Sequence, residues 1–506
     1  MSESNSYPDA EIFFGLVSPV GTDDERVIKT LTDTLDTVRY SHTIIKLSDS
    51  LKQINGLSIQ ISETNEYDRI NTLMSKGNEL RNTLEDGGAL ASASIFQIQN
   101  YRRMKNGDKS KPIPRQAYIL KSLKHPSEVE LLRQVYGRSF WLISVYSPEC
   151  IRNDRLKSKI KETNYGASTN VGEQADYLIQ RDQEESDEFG QNVRRTFPLG
   201  DVFIDASLEE IENEMSRFIK LVFGYPYHTP TLDEYGMYLA QASALMSSSL
   251  ARQVGASIMG ENGSVISTGT NEVPYVDGGV CNEDFGNTLR EFEKGSDFND
   301  KHKKLIIGNF LQLLKDNSWL SESKKEIDVK ILVDEVFNNP KLKNAQLMNL
   351  TEFGREMHAE MTALMEAARK TISVEDGTLY CTTFPCHLCT KHIVAAGIDQ
   401  VIFIEPYRKS LAEDLFQDFI SVDKKSETEN KIEFNPFVGI APRRYMDLFK
   451  WVTRKQKNNE KLGWDQPTSN PRFGEEPPAI FKKEDNVVLV FLEKLSGKKL
   501  TIVKEK

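Results

Sequence analysis

Four side chains in two short motifs have the types and spacing of a hydrolytic metal site. His358 and Glu360 form an H-x-E motif, and 25 residues after Glu360, Pro385 opens a P-C-x-x-C motif that contains Cys386 and Cys389. Catalytic zinc binds three imidazole or thiolate ligands and keeps its fourth position for a water whose pKa falls to roughly 7. The two cysteines and the histidine fit that ligand set. The glutamate is then a carboxylate beside the metal. Taken alone, the C-x-x-C fits a redox pair or half of a structural zinc knuckle equally well.

Two helices are expected to position these groups. In REMHAEMTALMEAARK the apolar residues recur at helical spacing, which predicts a helix with His358 and Glu360 in its first turn. The stretch CHLCTKHIVAAGI predicts a second helix that begins after Pro385, and the positive end of a helix favours the thiolate that zinc requires. Buried strands are predicted on both sides of this second helix, in GTLYCTTF and QVIFIEP. Two helix N-termini are therefore expected to meet at one metal.

Size and composition limit the remaining interpretations. A chain of 506 residues exceeds one core, so more than one domain is expected. No apolar run approaches roughly 18 residues and no basic-then-apolar leader opens the chain, so we expect a soluble protein that is not exported. Five cysteines without a disulfide-like framework are typical of the cytoplasm. The net charge of −11 argues against binding of polymeric nucleic acid.

The N-terminal segment resembles a phosphate-binding loop that departs from the usual pattern. EIFFGLV predicts a buried strand, SPVGTD a turn, and DERVIKTLTDTLDTV an amphipathic helix. Five residues separate Gly15 from Gly21 where the pattern G-x-x-x-x-G-K-[ST] has four, and Thr22 stands where the lysine would be. Gly15, Ser18, Gly21 and Thr22 are the candidate nucleotide-binding residues. Because the lysine is absent and Asp23 would repel phosphate, phosphoryl transfer is not expected. Effector binding and a remnant without function both stay open.

The rest of the chain is interpreted from composition and periodicity. Residues 281–350 form a polar insertion whose apolar residues recur at helical spacing, which predicts helices that pack on the core, line an interface or cover the site. After a linker rich in turn residues, NVVLVFLEKL and KKLTIVKEK are expected to pair as a terminal hairpin. The expected domains are residues 1–230, residues 231–455 and a linker with a β extension over 456–506.

Residues 236–450 resemble the cytidine and deoxycytidylate deaminase superfamily. The H-x-E and P-C-x-x-C pair is the signature of zinc nucleobase deaminases, and GASIMGENGSVISTGTNEVP is similar to the strand pair that carries the family's substrate-binding asparagine. The resemblance implies that Asn271 holds the sugar or base and adds Ala359 to the substrate contacts. It further implies that Glu360 carries protons to N3 and to the leaving amine of a cytosine. Without the resemblance, Asn271 is equally a loop-capping residue after a hairpin.

The whole chain resembles bacterial antiphage deoxycytidine-nucleotide deaminases. The implied fold is α/β, with an N-terminal P-loop kinase-like three-layer domain and a C-terminal cytidine-deaminase-like α/β/α domain. The implied reaction converts dCTP or dCMP to dUTP or dUMP and starves viral replication of dCTP. The resemblance also implies a homo-oligomer and an inhibitory small RNA or nucleotide effector. A polynucleotide or tRNA deaminase and a non-catalytic nucleotide- or RNA-sensing regulator are the alternatives.

Two basic sets could hold the substrate phosphates. Arg443 and Arg444 follow the core at a distance from which the chain could return to the pocket, and guanidinium groups match phosphate oxygens. Tyr407, Arg408 and Lys409 follow a predicted core strand. Surface salt bridges are the alternative role for both sets.

Overall fold

We describe the fold from a computed structural model. It describes residues 7–502 except 63–64, 164–169, 186, 340–341, 343–344, 351, 408–409 and 424–430. The described part of the chain divides into two compact units, a first unit of residues 1–234 and 438–506 and a second unit of residues 235–437. No described helix is both long and apolar enough to cross a membrane.

The strands and helices are as follows. The strands are β1 Ile12–Val17, β2 Ser41–Lys46, β3 Ile54–Asn55, β4 Gln116–Lys121, β5 Phe140–Tyr146, β6 Val202–Asp205, β7 Gly255–Met259, β8 Val265–Thr270, β9 Thr378–Thr383, β10 Gln400–Glu405, β11 Ile420–Val422, β12 Ile432–Pro436, β13 Gly439–Ile440 and β14 Thr501–Ile502. The helices are α1 Asp24–Thr37, α2 Ser50–Gln53, α3 Glu66–Leu84, α4 Ala89–Asn106, α5 Pro126–Tyr136, α6 Glu149–Thr163, α7 Val171–Gln183, α8 Val193–Thr196, α9 Ile211–Val222, α10 Leu232–Ala244, α11 Phe298–Asp316, α12 Glu322–Lys325, α13 Val329–Asn338, α14 Ala359–Arg369, α15 His387–Ala395, α16 Ala412–Phe416, α17 Pro442–Phe449 and α18 Pro477–Gly497.

The first unit is built on a sheet with strand order β13-β6-β5-β1-β4-β2, parallel except at β13. Every residue of β1 is buried, and its side chains alternate between two apolar clusters, with Phe13 in one and Phe14 in the other. A parallel sheet buried on both faces is expected to be covered by helices on both sides. Residues of α4, α5 and α18 pack in one cluster and residues of α1 and α9 in the other, so helices cover both faces of the sheet. The first unit is therefore α/β with three layers, while its kinase-like character stays a prediction.

The C-terminal segment contradicts the predicted hairpin and domain boundary. NVVLVFLEKL lies inside the helix α18, whose buried residues Phe481, Val488 and Leu495 recur at helical spacing in a core of the first unit. The start at Pro477 suits a helix, because the first helical position needs no N–H donor. The strand β14 pairs with β3. The segment predicted as a separate β extension is therefore part of the first unit, which the chain rejoins at residue 438.

The second unit is built on a sheet with strand order β11-β12-β10-β9-β7-β8. The strands β9 to β12 run parallel, whereas β7 is antiparallel to both β8 and β9. The carboxyl ends of β8, β9 and β10 consequently lie along the same edge, together with the start of β7. In α/β sheets, ligands bind outside the carboxyl ends of strands. The insertion after β8 contains α11, α12 and α13, and a small apolar cluster joins α11 with α13.

Candidate metal centre and substrate cavity

His358, Cys386 and Cys389 come together at the N-termini of two helices. His358 is the residue before α14, so it lies one position outside the predicted first turn, while Glu360 lies inside that turn. Cys386 holds the equivalent place before α15, and Cys389 lies in its first turn. The helix α14 lies close to β8, because a side chain at Gly269 would overlap the carbonyl of Ala359.

The three side chains have the spacing that a tetrahedral metal requires. The Nδ1 atom of His358 lies 3.2 Å from Sγ of Cys386 and 3.4 Å from Sγ of Cys389. Zinc–nitrogen and zinc–sulfur bonds of tetrahedral sites place such atoms roughly 3.5 Å apart. No other group of three metal-binding side chains this close together was found in the described part of the chain. The donor set and its spacing fit zinc.

Hydrogen bonds and burial set the charges of the cluster. The thiol of Cys389, and then His358, lower the pKa of Cys386 to about 4. The hydrogen bond to Cys386 raises the pKa of His358 to about 9. Burial raises the pKa of Glu360, which is 3% exposed. A carboxyl group whose pKa is raised holds a proton more readily, which suits a group that accepts and returns protons.

A cavity of about 240 Å³ opens beside the cluster at the carboxyl edge of the sheet. It is lined by Ser249, Ala251, Arg252, Val254, Asn271, Glu291, Asp297, Asn299, Gly354, Glu356, His358, Ala359, Glu360, Thr383, Phe384, Cys386 and Tyr407. The predicted residues Asn271, Ala359 and Tyr407 are thus brought together with the metal ligands. Arg408 and Lys409, predicted beside Tyr407, lie outside the described residues. Part of the insertion, represented by Glu291 and Asp297, also lines the cavity.

Arg443 and Arg444 are not among the residues that line this cavity. They lie on α17 of the first unit, where Nε of each lies 3.1–3.2 Å from Oδ1 of Asp201. Asp201 is fully buried, and a buried carboxylate requires compensating donors. Arg444 also donates to the carbonyl of Phe140 and stacks on Trp141. The two arginines therefore stabilise the first unit, which corrects their predicted role at the substrate phosphates.

Arg252 is the cation that the sequence interpretation missed. Among the described residues, no other arginine or lysine lines the cavity. Its guanidinium lies 5.4 Å from the ring centre of Tyr407, and its side chain is 46% exposed. Its position is the available sequence signal, because it lies three residues before β7 and therefore at the same sheet edge as Asn271.

The predicted nucleotide-binding residues of the first unit separate into two groups. Ser18, Gly21 and Thr22 line a second cavity, also of about 240 Å³. Gly15 does not line it and instead lies inside β1, where a side chain would reach within 2.7 Å of Leu123 and Phe140. Gly15 lies in the predicted strand, where close packing against neighbouring side chains accounts for a glycine, and its predicted role as a nucleotide-binding residue is corrected.

Comparisons with known proteins agree with the chemistry of the metal centre. Residues 230–405 match the family model described as "Cytidine and deoxycytidylate deaminase zinc-binding region". The deoxycytidylate deaminase of Enterobacteria phage T4 is 42% identical over 55 residues, which are 11% of this chain and 28% of that protein. The Saccharomyces cerevisiae (strain ATCC 204508 / S288c) deoxycytidylate deaminase is 44% identical over 52 residues, 10% of this chain and 16% of that protein.

A solved structure also aligns with part of the chain. The dCMP deaminase of cyanophage S-TIM5, in complex with dCMP and dUMP, is 20% identical with a TM-score of 0.23, over 41% of this chain and 99% of that one. The chain spans less than a third of the length of the curated phage and yeast relatives. The part of the chain that contains His358, Cys386 and Cys389 matches the model of the zinc-binding region of cytidine and deoxycytidylate deaminases, and these three side chains could hold a metal ion.

Proposed function

We propose that the second unit catalyses the hydrolytic deamination of deoxycytidine nucleotides, converting dCTP, dCMP or both to dUTP or dUMP. The observation that carries the proposal is the buried Glu360 beside a zinc-type ligand triangle, inside a cavity large enough for a small ligand. This arrangement lies within a region that matches zinc-binding deaminases of cytidine and deoxycytidylate.

The proposed mechanism assigns the proton transfers to Glu360. His358, Cys386 and Cys389 would hold zinc, which as a Lewis acid makes a water nucleophilic near neutral pH. Glu360 accepts a proton from the water that attacks C4 of the cytosine and delivers it to N3, and it then carries the remaining proton of that water to the amine. Oxygen from water replaces the amino group, and ammonia leaves. The burial of Glu360 excludes bulk water that would otherwise compete for these protons.

We assign the recognition of the substrate phosphate to Arg252. Its partly exposed guanidinium lies at the cavity, 3.6 Å from Oε2 of Glu405, which is also partly exposed. A planar guanidinium can bind two phosphate oxygens at once. Replacement of Arg252 by Ala should raise the KM for dCMP and dCTP far more than the KM for deoxycytidine. Arg443→Ala is the matched control, because this arginine pairs with Asp201 in the first unit. Equal losses on nucleotide and nucleoside would exclude a phosphate role for Arg252.

The cavity composition favours a mononucleotide over a polymer. Among the described residues, Arg252 is accompanied at the cavity by the carboxylates of Glu291, Asp297 and Glu356. Binding of a nucleic-acid strand requires a basic groove with aromatic platforms. One measurement compares the alternatives: the purified protein is incubated with dCTP, dCMP, CMP, a cytosine-containing oligonucleotide and a tRNA, and uracil, inosine and ammonia are quantified. Product from the polymers alone would replace the proposal, and no product at all would favour a non-catalytic regulator.

The biological setting implied by the resemblance is also a proposal. Removal of dCTP would starve viral replication, and an enzyme that depletes a pool needed by the host would require restraint by a nucleotide or a small RNA. The dCTP content of cells that express the protein, before and after infection, measures the first point. Light scattering compares the mass in solution with the 57.6 kDa of one chain, and an absorbance ratio detects copurifying nucleic acid.

A further inference from the structure

The second cavity, in the first unit, lies at the point where the sheet changes its direction of winding. It is lined by residues after β1 and at the ends of β2 and β4. The chain leaves β1 towards β2 and leaves β4 towards β5, which lie on opposite sides in the strand order β5-β1-β4-β2. Crevices at such positions, outside the carboxyl ends of parallel strands, are where α/β proteins bind ligands.

The loop after β1 is already engaged by a carboxylate of the protein. The N–H of Val20 donates to Oδ2 of Asp182 over 2.7 Å, and the ammonium of Lys124 lies 2.9 Å from the other oxygen of that carboxylate. Asp182 is 1% exposed. Asp23, which follows the loop, pairs with Arg155. A phosphate at the Val20 amide would have to displace a buried ion pair, so the loop is a poor phosphate site.

Two lysines at the neighbouring strand ends, unlike the loop after β1, are not paired with a carboxylate among the described residues. Lys46 ends β2 and Lys121 ends β4, and the two residues are directly paired in the parallel register. Both line the cavity, and within the described residues neither ammonium has an ion-pair partner. Burial lowers the pKa of Lys46; the charge of Asp49 raises it in part, and the positive charges of Arg69 and Lys121 lower it. Like charges held side by side are unfavourable unless an anion lies between them.

We propose that this cavity binds a small phosphorylated ligand, a nucleoside phosphate, whose phosphate oxygens are held by the ammonium groups of Lys46 and Lys121. The hydroxyl of Thr22 is a third polar contact, because Thr22 lines the same cavity and its buried Oγ1 has no hydrogen-bond partner among the described residues. Ser122, also at the cavity, has a φ of +71°, which is rare for a residue other than glycine and is common at functional sites.

The remaining wall of the cavity defines the ligand class. The apolar side chains of Leu51, Ile70, Leu73 and Leu90 also line the cavity. An apolar wall with a few convergent cations suits a ligand that has both a flat organic body and a phosphate. The volume of about 240 Å³ excludes a folded RNA from the cavity itself. The site is separate from the zinc-type cluster and does not depend on deaminase activity.

Calorimetric titration of the full chain with ATP, dTTP, dTMP and pyrophosphate tests the proposal. These probes carry no cytosine, so deamination does not contribute to the signal. We expect binding of at least one nucleotide, at least about tenfold weaker in Lys46→Gln and in Lys121→Gln because each charge-assisted contact is lost. Lys105→Gln, on the exposed side of α4, is the matched control. The Arg252→Ala variant should bind these probes as the wild type does, which would place the binding outside the deaminase cavity.

Acetylation of the wild-type protein provides a test that requires no variant. Bound nucleotide should protect Lys46 and Lys121 from acetic anhydride and leave the modification of Lys105 unchanged, as read by mass spectrometry. The proposal is wrong if no probe binds at millimolar concentration, if the two lysine variants bind as well as the wild type, or if the lysines are not protected. Binding of an RNA oligonucleotide in the absence of any mononucleotide binding would also overturn it.

Discussion

The side chain of Asn271 binds the backbone of both Arg252 and Val254, the residues just before β7. Its Oδ1 accepts a hydrogen bond from the N–H of Val254 over 2.7 Å, and its Nδ2 donates to the carbonyl of Arg252 over 2.9 Å. The amide therefore holds the start of β7 at the edge of the cavity. The loop-capping role and the predicted substrate role of Asn271 are compatible, because an amide has a further lone pair and a further hydrogen to offer.

Replacement of Asn271 by Ala should reduce both stability and substrate binding. Two hydrogen bonds are lost, which costs about 2 kcal/mol of the free energy of unfolding. Since Arg252 then loses its fixed backbone position, the KM for dCMP should rise as well. Asn271→Asp is the control, because Asp still accepts from Val254 but cannot donate to the Arg252 carbonyl, and it should give an intermediate result. Urea denaturation and steady-state kinetics measure the two effects, and an unchanged midpoint in Asn271→Ala would contradict the capping role.

Glu360→Gln should abolish turnover and leave metal binding intact. Glutamine preserves the shape of the side chain but cannot accept a proton, so kcat should fall by about 10²-fold to 10⁴-fold or more. Zinc content by elemental analysis should remain that of the wild type. Glu366→Gln, further along α14 and paired with Arg369 at its surface, is the control and should retain activity. Wild-type turnover in Glu360→Gln would remove Glu360 from the mechanism.

Replacement of a metal-binding residue and removal of the metal should both lower activity and stability. Cys389→Ser should lower zinc content and activity together, because serine is a far weaker zinc ligand than a thiolate. A chelator should lower the thermal midpoint of the wild type and have little effect on that variant, since metal binding stabilises the folded state. Cys381→Ser is the matched control: this buried thiol lies in β9, outside the metal cluster. Zinc retention in Cys389→Ser would refute the assignment of the ligand.

The metal ligands could be predicted from sequence because they belong to local motifs at two helix starts. The positions of Asn271 and Tyr407 also followed from local signals, since each comes just after a strand that ends at the same edge. Arg443 and Arg444 could not be placed in this way. The carboxylate that binds Arg444 lies 243 residues away in the chain, and no local pattern announces such a pair. Likewise, the apolar run in α18 fits a strand or a helix until its contacts in the first unit are known.

Gly21 illustrates a further limit of the sequence, because its neighbours decide what a substitution does. The sequence alone predicts that Gly21→Val keeps the fold and the zinc content and alters regulation or the response to nucleotide. In the structure Gly21 has a φ of +89°, and a Cβ there would lie 2.5 Å from the carbonyl oxygen of Arg152. Substitution at Gly21 therefore disturbs the first unit itself, and that prediction is corrected.

A pair of glycine variants separates this overlap from backbone strain. Gly107 has a φ of +75° with nothing within 4 Å of an added Cβ, so Gly107→Ala carries the cost of positive φ alone, about 1 kcal/mol. Gly21→Ala carries the same cost together with the overlap, and it should be less stable than Gly107→Ala by at least about 1 kcal/mol. Denaturant midpoints compare the two variants. Equal losses of stability would mean that the backbone at Arg152 moves away from the added Cβ at no measurable cost.

Glu214 should make the stability of the first unit depend on pH near neutrality. It lies on α9 with its Oε2 buried and without a hydrogen-bond partner among the described residues. Burial, and then the charge of Asp205, raise its pKa to about 7, whereas an unfolded chain has a glutamate pKa of about 4.3. The folded state therefore binds the proton more tightly. Loss of this proton therefore destabilises the folded state. The destabilisation is absent below about pH 4 and complete above about pH 7.

Glu214→Gln should remove this dependence. Because the side chain keeps partial contact with solvent, the expected gain in the free energy of unfolding at pH 8 is about 1 kcal/mol, and it should vanish as the pH approaches the unfolded pKa of about 4.3. Glu212→Gln on the exposed side of the same helix, 63% exposed at the side chain, is the control and should show no such pH-dependent gain. Urea unfolding of the three proteins at several pH values measures the difference. A gain of the same size at every pH would show that packing, and not ionisation, distinguishes the glutamine variant.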